Sequence, residues 1–283
     1  MNVVIAILNM PWALPWPFDS EIYQLAAIAA VATGIAAPLV GTFVVQRRMS
    51  MMGDGLGHVA IAGIGVAFAF GVSAIWVALI AAVLAALAIE WVRDRQLASG
   101  DVALAVVFYT GIALGVALAS RSGGTTALNQ YLFGSLVTVT PQEVVTQVVI
   151  CAAISGTVVL LRRPLLAAIV DVDSARLAGV PVRFLHNVFA VLTAAIIVTS
   201  MKAIGLLLIA ALIVLPVASA RLLARSFGGV LRISAFIGGG CGLAGIAVAR
   251  VINAAPGACV VLCASAVFIL AATARGARLS RAL

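Results

Sequence analysis

Two residues in this chain have types and spacing that could hold a metal ion. Asp54 and His58 stand four apart in MSMMGDGLGHVAIAGIGVAFAFG, residues 49–71. Four residues is about one helical turn, so a helix here puts carboxylate and imidazole on one face. Ionisable groups inside an apolar span are rare, and mark a functional site by default. A carboxylate beside a neutral imidazole suits a divalent cation, zinc included. The same two groups could instead pair with each other or hydrogen-bond a neighbouring helix. Glycines at 53, 55, 57, 63 and 65 leave room beside them and would let the helix become irregular around a cavity. Asp101 opens a later apolar run after LASG. It is either a third ligand or a helix N-cap.

A second constellation lies in RRPLLAAIVDVDSARLAGVPVRF, residues 162–184. Asp171 or Asp173 makes a good N-cap. Ala175, Arg176 and Ala178 continue a short helix, Gly179 caps its end and Pro181 stops it. The Asp-x-Asp pair could also bind metal, although capping with solvation is the better explanation. A short helix in a loop between spans suits docking with a partner, or lies at the interface without one.

The elements that must position these residues are membrane helices. Of 283 residues, 64% are hydrophobic and 9% charged, against roughly 25% charged in soluble domains. Mean hydropathy is +1.25. Nine apolar runs reach spanning length, near 22–46, 51–70, 74–92, 101–120, 143–161, 184–200, 203–220, 230–250 and 256–274. The spacing predicts an all-α, polytopic membrane bundle of about eight or nine helices forming one domain over residues 1–283. The first twenty residues, with Trp12, Trp16 and three prolines, read as an interfacial segment. They lack a signal peptide's basic start, so no cleavage is expected. Residues 164–183 form the longest inner loop between spans.

Charge sets the orientation. With the N-terminus outside, fourteen of the seventeen Lys and Arg fall in inner loops, as the positive-inside rule requires, and the C-terminus is cytoplasmic. The net charge of +8 therefore belongs to loops at a membrane and not to a nucleic-acid surface. Glu90, Glu143 and His186 lie near span ends and read as interfacial. Lys202, the only lysine, reads as a snorkelling anchor. The cysteines at 151, 241, 259 and 263 read as buried apolar residues. Gly111-x-x-x-Gly115 and Gly238-x-x-x-Gly242 allow close helix packing. There is no P-loop, no H-E-x-x-H and no G-x-S-x-G, so the chain carries no recognisable enzyme centre.

Several blocks together resemble the zinc/manganese-type permeases of ABC importers. RRMSMMGDGLGHVAIAGIGVAF is similar to one family signature and MKAIGLLLIAALIVLPVASARLL, with Pro216, to a second. NQYLFGSL, DVDSARLAGV and APGACVVL resemble further family blocks, in order along nearly the whole chain. The resemblance implies a permease for zinc or manganese, or for iron, in a bacterial plasma membrane. Two copies would form the pathway, two ATPase subunits would dock beneath, and an extracytoplasmic binding protein would deliver metal. No cofactor would be held permanently, and ATP would act only through the partner. Asp54 and His58 match the family's polar pair, and Asp101 an acidic position. The helix from Asp173 to Gly179 would be the coupling helix, with Asp171 at its start. Pro141-Gln142-Glu143 departs from the family, which has an Asp after the Leu-Phe-Gly block. Two alternatives remain: a cation- or proton-coupled secondary transporter using the Asp–His pair as a relay, and an ABC permease for a metal chelate.

Overall fold

The computed structural model describes residues 20–97, 100–122, 131–132, 134 and 140–280. The interfacial segment expected over the first twenty residues lies almost wholly outside them. Among the described residues the chain is all helix, with no strand. The helices are α1 (Glu21–Gln46), α2 (Met52–Phe70), α3 (Ala74–Asp94), α4 (Gly100–Ser122), α5 (Pro141–Val170), α6 (Val172–Leu177), α7 (Val182–Met201), α8 (Leu206–Leu223), α9 (Phe227–Ile252) and α10 (Pro256–Ser280).

Each expected span is a helix. Seven are long and apolar enough to cross a membrane, and α4 and α8 contain shorter apolar stretches, Val102–Ala117 and Leu208–Leu223. The largest difference is at α5, which continues through Arg162, Arg163 and Pro164 to Val170. Arginine ends an apolar run but favours helix, so charge marked the end of the membrane span and not of the helix.

In lipid, helices gain little from hiding apolar surface from one another. They associate through close contact and interhelical hydrogen bonds. α1 runs through the middle, packed against α5, α7, α8 and α9. Gly34 meets the backbone of Gly238, and Gly242 meets Ala30, leaving no room for a side chain at the α1–α9 crossing. Inside the bundle Gln147 Nε2 donates to Thr33 Oγ1 at 2.7 Å. The Thr33 and Ser200 hydroxyls are 3.1 Å apart. This buried polar triad ties α1, α5 and α7 together.

The arginine-rich end of the bundle is knotted by charge. Arg47 donates two hydrogen bonds of 2.8 Å to the two carboxylate oxygens of Glu90, with side chains only 4% and 2% exposed. Arg93 Nη1 is 3.6 Å from the same carboxylate, and His186 Nδ1 is 3.9 Å from it. Arg47 also lies over the Phe189 ring, 5.7 Å from its centroid. Glu90 and His186 are thus in the protein interior, not at an interface as their positions near span ends had suggested. Their partners come from other helices. At the opposite end Lys202 Nζ donates to Glu143 Oε1 at 2.6 Å. Lys202 is therefore an ion-pair partner rather than a snorkelling anchor.

Removing one member of a buried, hydrogen-bonded ion pair strands the other charge. Glu90→Ala is expected to cost about 3–5 kcal/mol, read as a lower unfolding midpoint of the purified protein in detergent. Arg47→Met combined with Glu90→Leu removes both charges and should recover most of that loss. A double variant no more stable than Glu90→Ala would show that the pair is not the tie.

Candidate functional site

The regular helix α2 begins at Met52, and Asp54 lies in its first turn. Carboxylates are favoured there by the positive end of the helix dipole. His58 follows on the same face, about 9 Å along the axis from Met52 at 1.5 Å per residue. The pair therefore sits in the half of the helix near the arginine-rich end, not at mid-span. Both side chains are half-buried. Among the described residues neither has a protein hydrogen bond or ion pair.

The surrounding glycines do not loosen the helix. Gly53 faces Ala210, Gly57 faces Leu206 and Gly63 faces Ala78, so α8 and α3 fill the space instead. The most intimate neighbour is α4. Gly55 of α2 faces Leu104, Gly111 of α4 lies against Val59 and the His58 backbone, and Gly115 lies against Ile61 and Ala62. These contacts ascend both helices together, so α2 and α4 run parallel in fixed register. The Phe108 ring meets the His58 imidazole edge-on, centroids 4.8 Å apart, and restricts how that imidazole can turn. The two small-xxx-small motifs thus have different neighbours. One seats α4 on the polar helix and the other seats α9 on α1.

Asp101 is in the first turn of α4, but its side chain lies outside the described residues. Leu104 opposite Gly55 places position 101 at the level of the first turn of α2, where Asp54 is. Among the described residues no group of three His, Cys, Asp or Glu gathers. The cysteines are free thiols.

The second constellation also folds locally. Asp171 is the N-cap of α6, its Oδ1 accepting from the amides of Asp173 at 3.2 Å and Ser174 at 3.0 Å. Its Oδ2 accepts from Ser174 Oγ at 2.6 Å. These bonds, the Ser174 hydroxyl first, hold the Asp171 carboxyl below the usual carboxylate range. Asp173 is the first-turn acid, 3.8 Å from Arg176. Ala175 is buried, while Arg176 and Ala178 are exposed. Gly179 adopts φ +79°, a turn that L side chains resist. α6 thus spans Val172–Leu177, slightly earlier than Asp173 to Gly179. Sequence reading missed the link from this region to the bundle: Arg183 Nε lies 3.5 Å from Asp94 at the end of α3.

Glu143, at the departure from the family, is committed to structure. It closes a capping box with Thr140 and bonds Lys202.

Comparison with known proteins extends the picture beyond local geometry. The pattern of the family described as "ABC 3 transport family" matches residues 19–275. The manganese import system permease protein ScaB of Streptococcus parasanguinis is 33% identical over 87% of this chain and 88% of its own length. The chelated iron transport system membrane protein YfeD of Yersinia pestis is 27% identical over 96% of this chain and 89% of its own. The solved structure of PsaBC from Streptococcus pneumoniae in complex with Fab superposes with a TM-score of 0.79 at 29% identity, covering 94% of this chain and 95% of that one. Fold, sequence pattern and helix order agree over nearly the full length, and the chain belongs to the ABC 3 transport family.

Proposed function

We propose that this chain is the membrane permease of an ATP-binding-cassette importer for a divalent metal ion, with Asp54 and His58 as the transient metal site. One observation carries the site: two metal-compatible side chains, with no hydrogen bond or ion pair among the described residues, stand on one face of an apolar helix. Asp101 is the proposed third donor, on the register of α4 against α2. The names of relatives favour manganese as cargo and allow iron, free or chelated; the donor set accepts zinc equally. Few ligands and no thiolate cage suit a site that must release its ion.

Two copies of the chain would form the pathway in a bacterial plasma membrane, N-terminus outside and C-terminus in the cytoplasm, with residues 1–283 as one membrane domain. Two ATPase subunits would dock on the arginine-rich end through α6 and its flanks, from Asp171 to Gly179. The absence of a P-loop from the sequence supports hydrolysis on those subunits. A metal-binding protein would deliver cargo at the opposite end. Family membership favours this ATP-driven scheme over proton- or cation-coupled secondary transport.

Reconstituted uptake of manganese tests the site. Asp54→Ala and His58→Ala are each expected to lower uptake by at least the order of tenfold that loss of even an outer metal-site partner brings. Unchanged uptake in both would remove the site while leaving the permease standing. Gly111→Leu forces a side chain into Val59 and the His58 backbone. It should cost about 1–3 kcal/mol of stability and reduce uptake with His58 itself intact. Asp171→Ala should uncouple ATP hydrolysis from uptake by unwinding the start of α6. Because the folded carboxyl is depressed, its cap is complete above the ordinary Asp range and is lost as pH falls through the lowered value. Coupling should therefore be insensitive to Asp171 titration near neutral pH.

A further inference from the structure

A groove of about 430 Å³ opens between α1, α5 and α9, with walls from Ile35, Leu39, Val159 and Phe236, and with Arg162 and Arg232 on its rim. Phe236 is 83% exposed and Val159 is 47% exposed, whereas Leu39 is 6% exposed. α2, which carries Asp54 and His58, packs against α3, α4, α7 and α8, so the groove is on a different side of the bundle from the proposed metal site.

The two arginines share one depth. α5 starts at Pro141, and Arg162 is about 30 Å along it at 1.5 Å per residue. α9 ends at Ile252, and Arg232 is also about 30 Å back from that end. That distance is the thickness of the hydrocarbon core, so both guanidinium groups reach the same membrane interface. Arg232 Nε donates to the Gly228 carbonyl at 3.3 Å, which anchors one edge of its guanidinium. Among the described residues neither arginine has an acidic partner.

We infer that this groove binds an anionic phospholipid, its phosphate held by Arg162 and Arg232 and an acyl chain lying along Ile35, Leu39, Val159 and Phe236. Arginine meets phosphate with paired, charge-assisted hydrogen bonds. Basic pockets between membrane helices at the headgroup level select anionic lipids. The groove matches both halves of such a molecule at the depth where each belongs. A zwitterionic lipid would gain the apolar contact without the net attraction.

The full chain, purified in mild detergent, would be titrated with phosphatidylglycerol or phosphatidylcholine and read by native mass spectrometry. Wild type should retain phosphatidylglycerol preferentially. Arg162→Ala with Arg232→Ala should weaken that retention about tenfold or more, the scale of two basic contacts at a membrane surface. Arg162→Lys with Arg232→Lys preserves the charge and should retain most of the binding, which separates lost recognition from lost folding. Arg163→Ala, beside the groove but outside its lining, should leave retention unchanged. Equal retention of the two lipids by wild type, or undiminished selectivity in the double alanine variant, would overturn the inference. So would a disulfide joining two copies of Phe236→Cys under added oxidant, since a second copy would then cover the groove.

Discussion

The bidentate contact between Arg47 and Glu90 is the interaction on which the rest of the bundle's geometry turns. Arg47 ends α1, and only a short turn separates it from α2. In that turn Arg48 takes φ 58°, and Met49, 3% exposed, accepts a hydrogen bond from Arg93 Nη1 at 2.9 Å. α3 thus grips the chain on both sides of the turn, through Glu90 on Arg47 and Arg93 on Met49. The launch point of α2 is fixed, and with it the level of Asp54. A charge pair this enclosed is weak evidence for stability, because desolvation offsets much of the attraction. Its role here is to fix geometry: the carboxylate accepts only one arrangement of three helices.

The same carboxylate reaches α7 through His186, and α3 reaches it again through Asp94 and Arg183. α7 follows α6 after a turn that Gly179 permits. Backbone turns and these contacts together link the short helix at the arginine-rich end to the first turn of α2. Contact alone does not establish coupling between sites; that requires an element with two arrangements which both sites bias. The α2–α4 pair is packed closely enough to act as one body. Its glycine contacts run parallel from Gly55 to Gly115, so His58 and Phe108 would travel together rather than past one another.

How much of this was legible in the sequence depended on whether the signal was local. Spanning runs, the glycine motifs and the α6 cap depend on neighbours within a few residues, and each was found close to its reading. Arg47–Glu90 and Glu143–Lys202 depend on partners 43 and 59 positions away. A charge near the end of an apolar run looks interfacial until the helix across from it is known. The number of opposite charges near span ends was a usable hint: Glu90, Glu143 and Asp94 are acids where arginine and lysine also collect. Asp54 and His58 were visible because they break an apolar pattern. Their depth followed only from the helix start at Met52, because the run of apolar residues begins before the helix does.

As the proposed metal site, the two side chains on α2 would also constrain how the cargo is held. A divalent first-row cation takes four ligands in tetrahedral sites and more when its donors are hard oxygens. In the proposed site Asp54 and His58 would supply two, and position 101 at most one side chain more. The remaining ligands would have to come from water, from backbone carbonyls or from a second copy of the chain. Water on part of the coordination shell keeps the ion exchangeable, which a conduit needs and a storage site does not. A symmetric second copy would bring the same two donors to the opposite side, and the ion would be held tightly only while both faces are close. Separation of the copies would then halve the protein ligands at once. A site incomplete in one chain would thus convert a change in helix spacing directly into release.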